Sequence, residues 1–119
     1  DYKKLNDHSA IAKTIFNSCI KFPEIAGGSK SINSILTKLS NGKVFVKNGA
    51  EGVFVAIIPE LKSALAVKII DGARRAAEVA IAGLLSELKI INNDQIEKIK
   101  KSPVKNSAGQ IIGSMKWIC

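Results

Sequence analysis

The seven residues Gly52-Val53-Phe54-Val55-Ala56-Ile57-Ile58 carry no polar side chain. A run of this length and β-branched content has the character of a strand. Its lack of polar alternation predicts burial of both faces. A second apolar run, Ala64-Leu65-Ala66-Val67-Lys68-Ile69-Ile70, follows across the loop Pro59-Glu60-Leu61-Lys62-Ser63. So short a loop predicts an antiparallel hairpin. Val44-Phe45-Val46-Lys47 reads as a strand preceding both.

Helical spacing surrounds these strands. Over residues 5–22, Ile11, Ile15, Cys19 and Phe22 recur with helical period, and Pro23 with Gly27-Gly28 ends the pattern. Ile32, Ile35, Leu36 and Leu39 mark one face of a shorter helix, closed by the Asn41-Gly42 turn. Asp71 is expected to cap a long helix running to about Lys89. Its apolar residues follow the helical rule, but Val79, Ala82 and Gly83 make the opposite side apolar too. A helix apolar all round at its centre is packed between layers. Leu in place of Ala80 is therefore expected to overpack it. Arg74 and Glu78 are placed to pair one turn apart. Asp94 and Glu97 have capping-box spacing, predicting a short helix to Lys101 that Pro103 stops. Ser107-Ala108-Gly109 reads as a turn and residues 110–118 as a last strand. The fold class expected is α+β, an antiparallel sheet covered by helices.

The length, 119 residues, fits a single domain, or a fragment of one, over residues 1–119. Hydrophobic residues make up 46% and aromatic ones only 5%, so the core is expected to be aliphatic. No apolar run approaches the ~20 residues a bilayer crossing needs. The first residue is not Met and no signal-peptide pattern follows, so the chain is expected to begin inside a longer gene product, although an expression scar or a processing site gives the same start. Cys19 and Cys119 lie far apart, without metal-ligand spacing to each other or to His8, the sole histidine. Free thiols in a reducing cytoplasm are expected. The net charge is +8, yet sixteen of the eighteen basic residues are Lys, spread along the chain. The densest group, Lys98, Lys100, Lys101 and Lys105, has no interleaved aromatic residue to stack on bases, which argues against nucleic acid.

Several motifs occur in a fixed order. Phe22-Pro23-Glu24-Ile25-Ala26-Gly27 comes first. Gly42-Lys43-Val44-Phe45-Val46-Lys47-Asn48-Gly49-Ala50-Glu51-Gly52-Val53-Phe54 and Pro59-Glu60-Leu61 follow. Then come Ala66-Val67-Lys68-Ile69-Ile70-Asp71-Gly72-Ala73-Arg74-Arg75-Ala76-Ala77-Glu78 and, last, Asn106-Ser107-Ala108-Gly109 with Ile112-Gly113. Together they resemble the C-terminal part of bacterial type II L-asparaginases. Phe22 stands where that family usually has His, and Ile70 where it usually has an acidic residue, so Asp71 has no acidic neighbour there to pair with.

The resemblance implies a fold like that of serine β-lactamases and glutaminases. It implies hydrolysis of L-asparagine to L-aspartate and ammonia by serine/lysine acyl transfer. Lys47-Asn48-Gly49 is then the K-T-G-like strand that walls the site. The serine nucleophile is expected upstream of this chain, as is any zinc, so the chain itself carries no cofactor. The upstream half of the protein is the expected partner, and a homo-oligomer is expected. A non-catalytic asparaginase-like binding module and a basic nucleic-acid-binding domain are the alternatives.

Lys47 is the candidate catalytic residue. A lysine desolvated beside a Gly-rich turn can act as acid or base; otherwise it is a snorkelling surface lysine. Gly49, Ala50, Glu51 and Gly52 form the candidate substrate-binding turn, where glycine permits close backbone approach or merely a turn. Glu51 is either a partner of Lys47 or of a substrate amine, or a solvated acid. Arg75 is either a clamp on a substrate carboxylate or a structural partner of Glu78 or Asp71. Lys68, in an apolar strand, must find a partner or reach water. Four S-x-x-K spacings occur, at Ser18, Ser40, Ser86 and Ser102, near helix ends or in expected turns. A nucleophile needs to start a buried helix, so none of the four is a candidate.

Overall fold

The computed structural model of the chain describes residues 2–92 and 94–118, with residues 2–8 described by backbone alone. The expected roles of Cys119 and of the His8 side chain lie outside the described residues. The elements are helices α1 (Tyr2–Lys21), α2 (Pro23–Gly27) and α3 (Ile32–Leu39), then strands β1 (Phe45–Asn48), β2 (Val53–Ile58) and β3 (Ser63–Lys68). Helices α4 (Arg74–Glu87) and α5 (Asp94–Ile99) follow, and strands β4 (Lys101–Lys105) and β5 (Ile111–Lys116) end the chain. The class is α+β with antiparallel pairing throughout, as expected. The strands are divided between two sheets, β1-β2-β3 and β4-β5.

Pro23 both ends α1 and begins α2. Proline cannot continue a helix but fits its first turn, where its missing N–H is no loss. The apolar stripe of α1 is not buried: Ile11, Ile15 and Phe22 are about half exposed, while Cys19 is a half-buried free thiol. Helix α1 meets the rest of the chain mainly at α2 and β1.

Strand β2 is central, flanked by β1 and β3. Phe54, Ala56 and Ile58 are buried beneath the helices. The expectation that both faces are buried is corrected, since Val55 is 37% and Ile57 42% exposed. The apolar run reads as doubly covered because nothing polar marks its outer side. The loop after β2 is a single 3-10 turn, Pro59–Leu61, so the hairpin is as tight as expected.

Helix α4 starts two residues later than expected. Asp71 does not cap it: its Oδ1 accepts the N–H of Ala73 (2.8 Å), and Gly72, at φ +73, turns the chain before Ala73 takes the cap position. The central burial is as expected. Ala77, Ile81, Ala82 and Leu85 join the core under the sheet, with Leu36, Val44, Val46, Phe54, Ala56, Ile58, Ile91 and Ile96. The other side of α4 meets the β4-β5 hairpin. A Cβ built on Gly83 would overlap the Trp117 ring at Cδ2, so the indole rests directly on the glycine. Ala80 is only half-buried and borders an open depression of about 310 Å³ with Met115 and Trp117. Overpacking therefore belongs to Gly83, not to Ala80. Arg74 and Glu78 pair at 2.8 Å, as their spacing predicts.

Pro103 does stand beyond the helix it was expected to stop, since α5 ends at Ile99. It lies inside β4, opposite Ser114. A two-stranded hairpin has two free edges, so a missing N–H is tolerated there. The turn before β5 is as expected, closed by Asn106 N–H to Gln110 O (3.0 Å), with Gly109 at φ +80.

The polar residues buried in α3 have a positional role. Val46 N–H donates to Thr37 Oγ1 (3.1 Å), and Val44 N–H donates to Ser40 Oγ (3.1 Å). Asn33 Nδ2 donates to Asn48 Oδ1. Asn33 and Thr37 on α3 and Ser40 at its C-terminal cap stand at i, i+4 and i+7, while Asn48 and Val46 in β1 and Val44 just before it are alternate residues. Seven helical residues rise about 10 Å and four strand residues about 13 Å, so three rungs stay within reach. The edge of β1 away from β2 is thereby closed by side chains rather than by another strand.

Candidate active site

The sheet brings the K-x-G stretch and the loop before α4 to one end. Lys47 is the last but one residue of β1 and pairs with Val55, which pairs in turn with Ala66. Residues alternate faces along a strand, so Lys47 shares the outer face with Val55 and Ile57, away from the core. It is half-buried, and its Nζ donates to Asn48 O at 3.4 Å.

The turn Gly49–Gly52 joins β1 to β2 and is closed by Gly49 N–H to Val53 O (2.9 Å). Glu51 takes φ +55, unusual outside glycine. Gly52 is buried at φ +69, and a Cβ there would meet the Gly72 carbonyl carbon at 2.9 Å and the Ile69 Cβ at 3.1 Å. Ile69 N–H donates to Gly52 O (3.0 Å) and Gly72 N–H to Ile69 O (3.0 Å). The turn is thus pressed backbone-to-backbone against the Ile69–Gly72 loop, which only glycine at position 52 permits. Lys68 finds its partner here, its ammonium donating to the Glu51 carbonyl. A backbone held from three sides is preorganised, the condition under which its groups contribute to a site.

The candidate residues fall into place unequally. Lys47, Gly49, Ala50, Glu51 and Gly52 lie within one six-residue stretch that the fold holds at the end of the sheet. Gly49, Ala50 and Glu51 are exposed. Among the described residues the carboxylate of Glu51 makes no bond to Lys47; the residue is exposed and its carbonyl accepts from Lys68. Arg75 lies in the first turn of α4, three residues beyond Gly72. Among the described residues it pairs with neither Glu78 nor Asp71, because Glu78 is taken by Arg74. Its side chain is exposed, and the expected structural pairing is not formed. Ile70 beside Asp71 is fully exposed.

The S-x-x-K serines are engaged elsewhere. Ser18 on α1 donates to Thr14 O (2.9 Å), and Ser40 is buried between Thr37 and Val44. Ser86 accepts from Lys100, not Lys89. Ser102 lies in β4 and not in a turn. Among the described residues no three His, Cys, Asp or Glu side chains stand together, so the residues present do not fit a zinc ion.

The sequence reading missed Asn33. The residue is 2% exposed, its Nδ2 reaches Asn48, and among the described residues its Oδ1 has no hydrogen-bond partner. A buried carbonyl left unpaired costs ~1–3 kcal/mol. The signal available was the i, i+4, i+7 spacing of Asn33, Thr37 and Ser40 on a helix whose other residues are largely apolar.

An open groove of about 640 Å³ lies away from this end. It lies between α1 and the β2-β3 hairpin, lined by Ala12, Phe16, Ile57, Pro59 and Ala64 among others. It is mainly apolar and has no carboxylate in its lining, so it does not mark the chemistry. No helix among the described residues is long and apolar enough to cross a membrane.

Comparison with curated proteins gave no match. A profile of L-asparaginase II matches residues 2–117, nearly the whole chain. The ordered motifs lie within that match, and the chain belongs to the L-asparaginase II family, whose activity is the hydrolysis of asparagine.

Proposed function

We propose that this chain supplies one wall of an L-asparagine amidohydrolase site and that the serine nucleophile comes from an upstream part of the same protein. The observation that carries the reading is the backbone packing of Gly52 against Gly72, which holds the turn beside Lys47 in one conformation. In this reading Lys47 moves the proton between the attacking serine and the leaving ammonia. Gly49, Ala50 and Gly52 present backbone to the substrate, Glu51 meets its ammonium group, and the exposed Arg75 clamps its α-carboxylate.

The outer face around Val55 and Ile57 is covered, in this reading, by the upstream half. In the 119-residue chain by itself that face is exposed, and an exposed apolar face favours self-association. Zinc, where the whole enzyme carries it, is held by upstream residues. The assembled enzyme acts in the cytoplasm of a bacterium.

The test is an ammonia-release assay with asparagine on the purified 119-residue chain and on the full-length protein. The chain alone is expected to be inactive and the full-length protein active. Turnover by the chain alone, abolished by Ser18→Ala or another single serine substitution, would place the nucleophile inside it and overturn the reading.

A further inference from the structure

We propose that Asn33 is a positioning residue for the Lys47–Gly49 turn, acting through the side chain of Asn48. The inference rests on the reading of Lys47 as the proton-transfer group.

Three rungs tie α3 to β1, and they are not equivalent. Thr37 and Ser40 satisfy main-chain N–H groups of Val46 and Val44, which a free strand edge would otherwise leave unpaired. Their role is explained by the fold. Asn33 instead reaches a side chain, fifteen residues away, and leaves its own Oδ1 buried without a partner. For stability alone this is a poor arrangement. Two apolar side chains of the same shape would fill the space without an orphaned acceptor, and such exchanges are close to neutral or stabilising. What the amide pair adds is a directed contact that holds Asn48 in one orientation.

That contact falls at a point that matters. Asn48 lies between Lys47 and Gly49, at the point where β1 ends and the turn begins. Lys47 Nζ donates to the carbonyl of the same Asn48. A backbone rotation at Asn48 moves both the lysine's acceptor and the start of the turn, and it is this rotation that a tether on the Asn48 side chain opposes. Asn33 cannot easily drift. The backbone of Gly27 approaches so closely that a Cβ there would lie 2.9 Å from Asn33 Cβ. Ser34, the next residue, donates to Gly28 O (2.7 Å) and lies 2.8 Å from Pro23 O. Residues 22–27 form one of the family motifs, so the fold uses that motif to press α3, and with it Asn33, onto the end of β1.

The test uses the full-length protein with Asn33→Leu, Asn48→Leu, both together, and Lys47→Ala. Ammonia release gives kcat and KM, and urea denaturation gives stability. A misplacement of about 1 Å costs on the order of 100-fold in rate, so a looser tether is expected to lower kcat about tenfold or more with KM within about twofold. The denaturation midpoint of the double Leu variant should stay at or above the parent's, since both partners of the amide pair are then apolar. The double variant should be no slower than the slower single one, because both act through one contact. Should Asn33→Leu fail to fold, Asn48→Leu, at a half-buried site, carries the same expected kcat loss. The inference is overturned if Lys47→Ala abolishes turnover while the Asn variants keep parental kcat, or if their losses in kcat multiply. If Lys47→Ala itself keeps parental turnover, the reading of Lys47 falls, and a positioning role toward it falls for that separate reason.

Discussion

Substituting Gly52 by Ala tests whether the turn beside Lys47 is held by the loop before α4. At φ +69 an L-residue carries a left-handed penalty of ~1–2 kcal/mol. The added Cβ meets the Gly72 carbonyl carbon at 2.9 Å and its oxygen at 3.1 Å. Those atoms are backbone and cannot rotate away, so an overpacking cost of ~1–3 kcal/mol applies. The stiffer unfolded chain returns ~0.4–1 kcal/mol. The centres of these ranges give a loss of about 3 kcal/mol, large against a total stability of ~5–15 kcal/mol. Gly109→Ala is the control, because Gly109 has φ +80 and a Cβ there would meet nothing within 4 Å. It carries only the left-handed penalty less the entropy gain, about 1 kcal/mol. With a urea slope of ~2 kcal/mol/M, the midpoint should fall by about 1.5 M for Gly52→Ala and about 0.5 M for Gly109→Ala. Equal shifts for the two variants would refute the close packing of the two turns.

Other consequences are as direct. Gly83→Ala should displace Trp117, costing ~1–3 kcal/mol, and the emission of this single tryptophan should move to the red; unchanged emission and stability would contradict the stacking of the indole on α4. The Glu24 carboxyl is held below its ordinary value of 4.5, first by the hydrogen bond from Lys38. A depressed carboxylate contributes stability that is present above the unfolded-state pKa and lost as pH falls through the folded-state one. The difference in urea midpoint between the parent and Glu24→Gln should therefore be small, since both groups are well exposed. It should shrink further as pH drops below 4.5, and a difference that grows on acidification would contradict the pair.

Much of the architecture was legible because apolar period and turn residues agree. The β2-β3 hairpin, the central burial of α4 and the Arg74–Glu78 pair each follow from local spacing. Other features were hidden for physical reasons. Strand β4 contains Pro103, which reads as a breaker unless the strand is known to be an edge. The exposure of Val55 and Ile57 is invisible in a run with no polar alternation, because sequence records which residues tolerate burial and not whether a cover is present. The start of α4 was misplaced because Asp71 bonds Ala73 N–H in a turn, chemistry that resembles a cap. At the site, the K-x-G stretch and its glycines were legible from motif order. The role of Asn33 was not, because an amide on a mostly apolar helix looks like an ordinary polar position until β1 is laid against it.

The most direct test of the account is turnover of asparagine by the full-length protein with and without the Lys47 amine. Lys47→Ala should lower kcat by ~10²-fold or more, the scale of a lost acid–base group, with the chain still folded by circular dichroism. Ammonia release within a few-fold of the parent would contradict the assignment of Lys47 and, with it, the reading of this end of the sheet as the wall of the active site.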